Sequence, residues 1–243
     1  MKTKYIFTNE ANLSNVKYKK GSESDRTYKE HLRSLIKKKR LKILDIGCGS
    51  GLNTKKLLKD DHEIIGVDIS PEAIKKYKKN KLRGYVADVT KGLPFKKKSF
   101  DLVFCSEVIE HVVDTDVFLN EINRVLNKGG QLLLSTPNST FWAYRVFSLL
   151  GKTLTEVQHP GHVRFFSKKS LIKSMTSSNF NIELIHSRKI FFIIPYDLYF
   201  LKYLGFQREF RFKTKKFFWH LSFISKKFSN FWSDSLIIKS TKK

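Results

Sequence analysis

A doubly wound α/β sheet of mostly parallel strands is the fold this sequence predicts, and three observations predict it. From Leu41 onward, short apolar runs alternate with amphipathic segments, the pattern of repeated strand–helix units. The runs are continuously apolar rather than alternating, as parallel strands covered on both faces require. The first run, Ile43-Leu44-Asp45-Ile46, empties into Gly47-Cys48-Gly49-Ser50-Gly51, and an amphipathic stretch follows over residues 52–58. A strand, a glycine turn and a helix in that order aim backbone N–H groups at a polar or anionic ligand.

Taken in order, residues 1–40 form a polar, basic entry segment with a candidate helix over 24–38, capped by Ser24 or Asp25 and ending in cations. Strands are expected near 42–46, 63–68, 83–87, 101–106 and 131–135. Helices are expected to start near Leu52, Pro71 and Asp114, with Pro71 in a first turn capped by Ser70. Beyond Pro137 a bulky helix is expected over 138–150, containing Phe141, Trp142, Tyr144 and Phe147. A His-Pro-Gly-His loop then leads to a helix capped by Ser167 and ending near Ser177. A sixth strand is expected over 181–190 and a seventh over 235–239. The interval 191–234 is far longer than an ordinary connection and carries about half of the aromatic residues. Within it Phe217, Leu221, Ile224, Phe228 and Phe231 recur at spacings of four and three, an apolar helical stripe flanked by lysines. The expected organisation is therefore a basic helical cap (1–40), a core (41–190), an aromatic and basic insertion (191–234), and a last strand with tail (235–243).

The glycine spacing discriminates among adenosine cofactors. Dinucleotide folds space their glycines G-x-G-x-x-G, whereas here the pattern is G-x-G-x-G with Asp45 two residues ahead. Asp68 ends the second apolar run and can accept both ribose hydroxyls of an adenosine. Asp88 ends the third run. Leu93-Pro94-Phe95, Ser99-Phe100-Asp101-Leu102-Val103, Glu107-Val108-Ile109-Glu110-His111-Val112 and Leu126-Asn127-Lys128-Gly129-Gly130 follow in order. Over residues 41–138 this series resembles the class I S-adenosylmethionine-dependent methyltransferases. The Glu-Val-Ile-Glu-His-Val segment and the Ser135-Thr136-Pro137-Asn138 turn resemble the branch that contains ubiquinone-biosynthesis O-methyltransferases and other small-molecule methyltransferases. The resemblance implies a seven-stranded Rossmann-like sheet whose last two strands form an antiparallel hairpin.

It also implies roles. Asp45, Gly47, Gly49 and Gly51 would hold the methionine portion of S-adenosylmethionine, Asp68 the ribose and Asp88 the adenine. Cys48, Ile69, Val89 and Ser106 would border the same groove, Cys48 as a small loop residue rather than a nucleophile. Glu107, Glu110 and His111 would line the active site where the fourth strand ends. A phenol or enol must lose a proton as its oxygen attacks a methyl group, and a histidine near neutrality can take it. His111 and His162 are the base candidates, the second because its loop resembles the family's substrate-facing segment; capping or packing of the following helix is the alternative for His111. Trp142, Tyr144, His159 and Arg164 are candidates for contact with the acceptor, Arg164 through a carboxylate or phosphate or, equally, as a surface ion-pair partner. Two glutamates and a histidine would also admit a divalent cation, without defining a metal-ligand set.

Composition sets bounds on partners. The chain has 243 residues, a net charge of +25, 14% aromatic residues and two cysteines, which suits one reduced domain rather than a disulfide scaffold. No apolar leader core appears in residues 1–10 and no long uncharged apolar run follows, so a cytoplasmic location is expected, with peripheral attachment to the inner face of a membrane as its extension. A stripe of aromatics beside lysines fits an anionic lipid interface; it fits packing on the core or on a second subunit as well, so a homodimer is compatible. The charge would equally suit an RNA or DNA methyltransferase, since basic proteins gain affinity by releasing counterions. Against that, Cys105-Ser106-Glu107-Val108 stands where amino-group base methylation places Asn-Pro-Pro-aromatic, and no nucleic-acid module is appended. A membrane-binding protein that kept the fold without catalysis is the third reading. The expected function is S-adenosylmethionine-dependent O-methylation of a small or lipid-linked acceptor: a quinone-like phenol, a glycolipid or a sugar intermediate.

Overall fold

Glycine, proline and cap residues cut this chain where the periodicity does, and the resulting elements assemble into one seven-stranded sheet. The computed structural model describes residues 34–37, 39–51, 54–57, 61–187, 231 and 233–243. The strands are β1 (Lys42–Ile46), β2 (Glu63–Asp68), β3 (Arg83–Val86), β4 (Phe100–Ser106), β5 (Leu126–Pro137), β6 (Phe180–Ser187) and β7 (Ser235–Lys242). Their spatial order is β3-β2-β1-β4-β5-β7-β6, with β7 antiparallel to both of its neighbours and every other pair parallel. The antiparallel final pair and the sevenfold count follow the expectation.

Helices cover both faces. Thr54–Leu57 forms the short α1, Pro71–Lys79 α2, Thr115–Val125 α3, Trp142–Leu149 α4, Leu154–Val157 α5 and Lys168–Ser177 α6. Ser70 Oγ accepts the Ala73 N–H at 3.2 Å and starts α2 with Pro71 in its first turn. Asp114 caps α3 through the Val117 N–H, and Ser167 caps α6 in a reciprocal pair with Ser170. On one face Leu44, Ile46, Val67, Val103, Leu132 and Ile238 meet Phe118, Leu119 and Ile122 of α3 and Leu171 and Met175 of α6. The other face carries Ile43, Ile64, Leu102, Phe104, Leu133 and Ile237, with Leu35 and Ile36 lying on it. This alternation within continuously apolar strands is the period of two that a doubly covered sheet displays.

Several boundaries move. The helix expected from Asn138 begins only at Trp142, because Asn138 is drawn into a turn: its Oδ1 accepts from Thr140 N at 3.1 Å and its Nδ2 donates to Ser233 O at 2.8 Å. β5 is longer than expected at both ends, and its register with β4 jumps between Leu126 and Gln131, where the Asn-Lys-Gly-Gly turn bulges out with Gly129 at φ 68°. Of the expected helix at 24–38 only residues 34–37 are described, and the chain has left the helix by Leu35; the insertion at 191–234 lies outside the described residues except for 231, 233 and 234, as does the amphipathic stripe apart from Phe231. Among the described residues no helix is long and apolar enough to cross a membrane.

Candidate active site

The C-terminal ends of β1, β2, β3 and β4 converge on a cleft of about 270 Å³, the position at which open α/β sheets bind their ligands. Gly47 N and Cys48 N both donate to Val67 O, at 2.9 and 3.1 Å, which folds the loop after β1 over the end of β2. Two of its glycines face the cleft. Gly47 has φ +69°, and a Cβ there would stand 2.4 Å from Val108 Cγ2; Gly49 has φ +52°, and its Cβ would meet nothing within 4 Å. The second is a cradle that any side chain would fill, with a conformation only glycine adopts without strain. Such an opening, bordered by backbone N–H groups and by two acids, fits the methionine and adenosine parts of S-adenosylmethionine.

Asp68 lies in the cleft wall, where its Oδ2 accepts the Gly49 N–H and its Oδ1 the Ser70 N–H, both at 2.9 Å. Burial pushes its carboxyl above the ordinary value, opposed by the N–H groups of Ser70, Gly49 and Ile69. Asp88 caps a 3-10 turn, its Oδ1 accepting from Thr90 N at 3.1 Å and Thr90 Oγ1 at 2.6 Å. Ile69 and Val89 line the cleft beside them.

Four residues expected at the cofactor are absent from the cleft lining. Asp45 points beneath the loop, 2% exposed, and accepts the Thr54 hydroxyl on its Oδ2. Gly51 is turned inward against Leu82 and Tyr77, and Cys48 packs with Ile74, Tyr77 and Leu82. Burial pushes the Cys48 thiol far up, as does Asp45 beside it, so it is an inert packing group. Ser106 bonds its hydroxyl to that of Ser135 at 2.9 Å and reaches the cleft only through that chain. None of these four lines the cleft. The cause is strand alternation and loop curvature: consecutive residues of one motif point to different sides.

The other end of the cleft is built by the turn after β4. Glu107 adopts φ 57°, an unusual backbone for a residue with a side chain, of the kind that clusters at functional sites. It is fastened by its N–H to Ser135 O and by Oε1 to the Ser135 hydroxyl, both at 3.0 Å. Glu110 is buried; Thr136 Oγ1 donates to its Oε2 at 3.0 Å, while Oε1 has no hydrogen-bond partner. Burial, reinforced by Glu107, holds its carboxyl well above the usual carboxylate range.

Three imidazoles gather here, with His111 4.8 Å from His162 and 6.0 Å from His159 between ring centroids. His111 Nδ1 lies 3.0 Å from the Gly161 carbonyl. A carbonyl only accepts, so Nδ1 carries the proton and the lone pair resides on Nε2. His162 Nδ1 pairs with Gln158 Oε1 at 3.0 Å. Burial first, then His111 and His159, lower the His162 pKa to about 4, leaving a neutral and weakly basic ring. His159 Nδ1 accepts the Gly161 N–H at 3.2 Å and shapes the loop. Among the described residues, Glu110, His111 and His162 offer ligand atoms within 4.8 Å of one another, a donor set suited to a divalent cation.

A second cavity of about 180 Å³ shares Glu107 with the cleft and is lined by Tyr144, Gln158, His162 and Asp234. Tyr144, a candidate for contact with the acceptor, is part of this lining. Trp142 lines neither cavity. Arg164 lines neither cavity: its Nε and one terminal nitrogen donate to Val113 O at 2.9 and 2.5 Å, bracing the loop after β4. Gln158 and Asp234 had no legible signal, since each reaches the site only through tertiary folding.

Comparison with known proteins agrees with this architecture. A family model described as a methyltransferase domain matches residues 44–134. The chain is 33% identical over 162 residues to a ubiquinone biosynthesis O-methyltransferase of Pelagibacter ubique, covering 59% of this chain and 67% of that one. It is 30% identical over 159 residues to the human mitochondrial ubiquinone biosynthesis O-methyltransferase, covering 60% of this chain but only 42% of the human protein. A solved S-adenosylmethionine-dependent methyltransferase of Thermotoga maritima shares the fold at a TM-score of 0.66 and 19% identity, covering 99% of this chain and 100% of that one.

Proposed function

We propose that this chain, which belongs to the class I S-adenosylmethionine-dependent methyltransferases, methylates a hydroxyl oxygen of a small phenol-like or lipid-linked acceptor. The observation that carries the reading is His111, locked by Gly161 O with its lone pair on Nε2, at the end of the cleft where the second cavity opens. The names of the relatives, ubiquinone biosynthesis O-methyltransferases, support oxygen as the acceptor atom.

When bound, S-adenosylmethionine would supply an electrophilic methyl group on a sulfonium, the electron pair of the broken S–C bond remaining on sulfur as a neutral thioether. The chain's own part is positioning and proton management. Backbone around Gly49, with Asp68 and Asp88, would hold the two ends of the cofactor. The cavity at Tyr144, Gln158 and Asp234 would seat the acceptor with its hydroxyl toward Glu107 and His111. His111 Nε2 would take the hydroxyl proton as the oxygen's electron pair forms the new O–C bond. His162, held near pKa 4, is the poorer base at neutral pH and serves to orient through Gln158. Holding two reactants in line contributes about 7–11 kcal/mol; a positioned base adds about 10²–10⁴-fold.

The test is transfer of labelled methyl from S-adenosylmethionine by purified protein into lipid-soluble phenols and, separately, into RNA. Label in the organic phase, with His111→Gln at least 100-fold slower and cofactor affinity unchanged, is the expected result. Label confined to RNA would overturn the acceptor class.

One observation favours a second reading of the same site: Glu110 Oε1 is buried without a partner, close to His111 and His162. A divalent cation held by these three would lower the acceptor hydroxyl's pKa directly. Loss of transfer on exhaustive chelation, restored by magnesium or zinc, is the outcome that reading expects; full activity after chelation excludes it.

A further inference from the structure

Beneath the cofactor loop a lane has been cleared across three strands. Asp45, Gly66 and Gly84 stand in register on β1, β2 and β3, so their side-chain directions share one face of the sheet. Two of the three are glycine, which weakens a strand unless something needs the room. The occupant is Tyr77 of α2, fully buried. A Cβ on Gly84 would stand 2.8 Å from Tyr77 Cδ1, and one on Gly66 would stand 2.6 Å from Cζ and 2.8 Å from the hydroxyl oxygen. The base of the ring therefore lies over β3 and its tip over β2. The hydroxyl end is thus the end nearer β1, where Asp45 stands in register with Gly66.

That hydroxyl is buried with no hydrogen-bond partner, a condition that costs the desolvation of a polar group and that phenylalanine would avoid. Next to it stands Thr54, the first residue of α1, which donates its own proton to Asp45 Oδ2 and keeps two lone pairs to accept another. Asp45 through its charge, and Thr54 as a side chain close to hydrogen-bonding range, both act on the Tyr77 hydroxyl. We propose that Tyr77 is a positioning residue for cofactor binding, its hydroxyl completing a relay from Tyr77 through Thr54 to Asp45 that sets the loop and the start of α1. Donors in series polarise one another, so the relay best supports Asp45 in its ionised form, the form favoured by a cationic ligand above the loop. Ring packing alone explains the two glycines; it does not explain the hydroxyl.

The inference concerns the cofactor side of the cleft and is independent of the acceptor's identity. It is tested by titrating S-adenosylmethionine calorimetrically into wild type, Tyr77→Phe, Thr54→Ser, Thr54→Val and the Tyr77→Phe/Thr54→Val double variant, with the unliganded thermal midpoint of each. Tyr77→Phe keeps the ring and is expected to bind about 5–10-fold more weakly, the range one hydrogen bond supplies, with a midpoint unchanged or raised. Thr54→Ser should bind as wild type. The double variant should bind no worse than Thr54→Val alone, as members of one chain do. Wild-type affinity in Tyr77→Phe, or losses that add in the double variant, would overturn the relay. A fall in affinity that tracks a fall in midpoint would reduce Tyr77 to a packing residue and overturn it too.

Discussion

Asp68→Ala is expected to weaken S-adenosylmethionine binding at least 100-fold while the protein remains folded. The carboxylate has about four lone-pair sites. Two are committed to the Gly49 and Ser70 N–H groups, each at 2.9 Å, which leaves the remainder for hydroxyls of a ligand in the cleft it lines. The substitution therefore removes ligand contacts and also loosens Gly49, whose open side forms the cradle. Hydrogen bonds to a charged group contribute about 1.5–3 kcal/mol each, and losing two corresponds to roughly 10²–10⁴-fold in affinity. Stability should respond far less, because the same burial that raises the Asp68 pKa makes the charged group expensive to keep. A thermal midpoint within a few degrees of wild type, with calorimetric binding lost, is the expected pair of results. Affinity within threefold of wild type would mean that the ribose is held by other residues.

The cleft was legible because its parts are local. A glycine turn between a strand and a helix, and acids at the ends of the next two strands, need no knowledge of tertiary contacts. The Ser70 cap ahead of Pro71 was readable for the same reason. Legibility fails where a side chain's direction matters more than its place in the chain. Asp45 precedes the glycine turn by two residues, yet strand alternation sends it to the face of Ile43, Gly66 and Gly84, beneath the loop rather than into the cleft. Arg164 reaches back 51 residues to the Val113 carbonyl, a partner no spacing announces. Asp234 enters the second cavity only because β7 pairs beside β5, with Ser235 opposite Pro137.

The buried position of Asp45 makes its replacement cut in opposite directions. Burial, helped by Asp68 and opposed by Thr54, raises its pKa from the ordinary 3.8 to about 7. Below about pH 4 the group is protonated whether the chain is folded or not, and it contributes nothing to pH dependence. Between about 4 and 7 the unfolded chain releases a proton that the folded chain retains, so stability falls as pH rises through that window. Above 7 the cost is complete, with a ceiling on the order of 4 kcal/mol at 1.36 kcal/mol per pKa unit. Asp45→Asn keeps an oxygen for the Thr54 hydroxyl without the charge. It should therefore stabilise the unliganded protein at pH 8 by about 1–3 kcal/mol and do little at pH 4, a difference measurable by urea unfolding of both proteins across that range. Glu110 and His162 titrate in both proteins alike, so the difference between them reports Asp45 together with its charge coupling to Asp68. The cofactor should respond in the opposite sense. A sulfonium and an ammonium above the loop favour the ionised carboxylate, so binding to wild type below pH 7 should release a proton, seen as a dependence of binding heat on buffer ionisation enthalpy. Asp45→Asn should lose both that proton and part of the affinity. Equal pH slopes in the two proteins would show that Asp45 is already ionised at little cost, and the loop would then rest on a charge its surroundings accommodate.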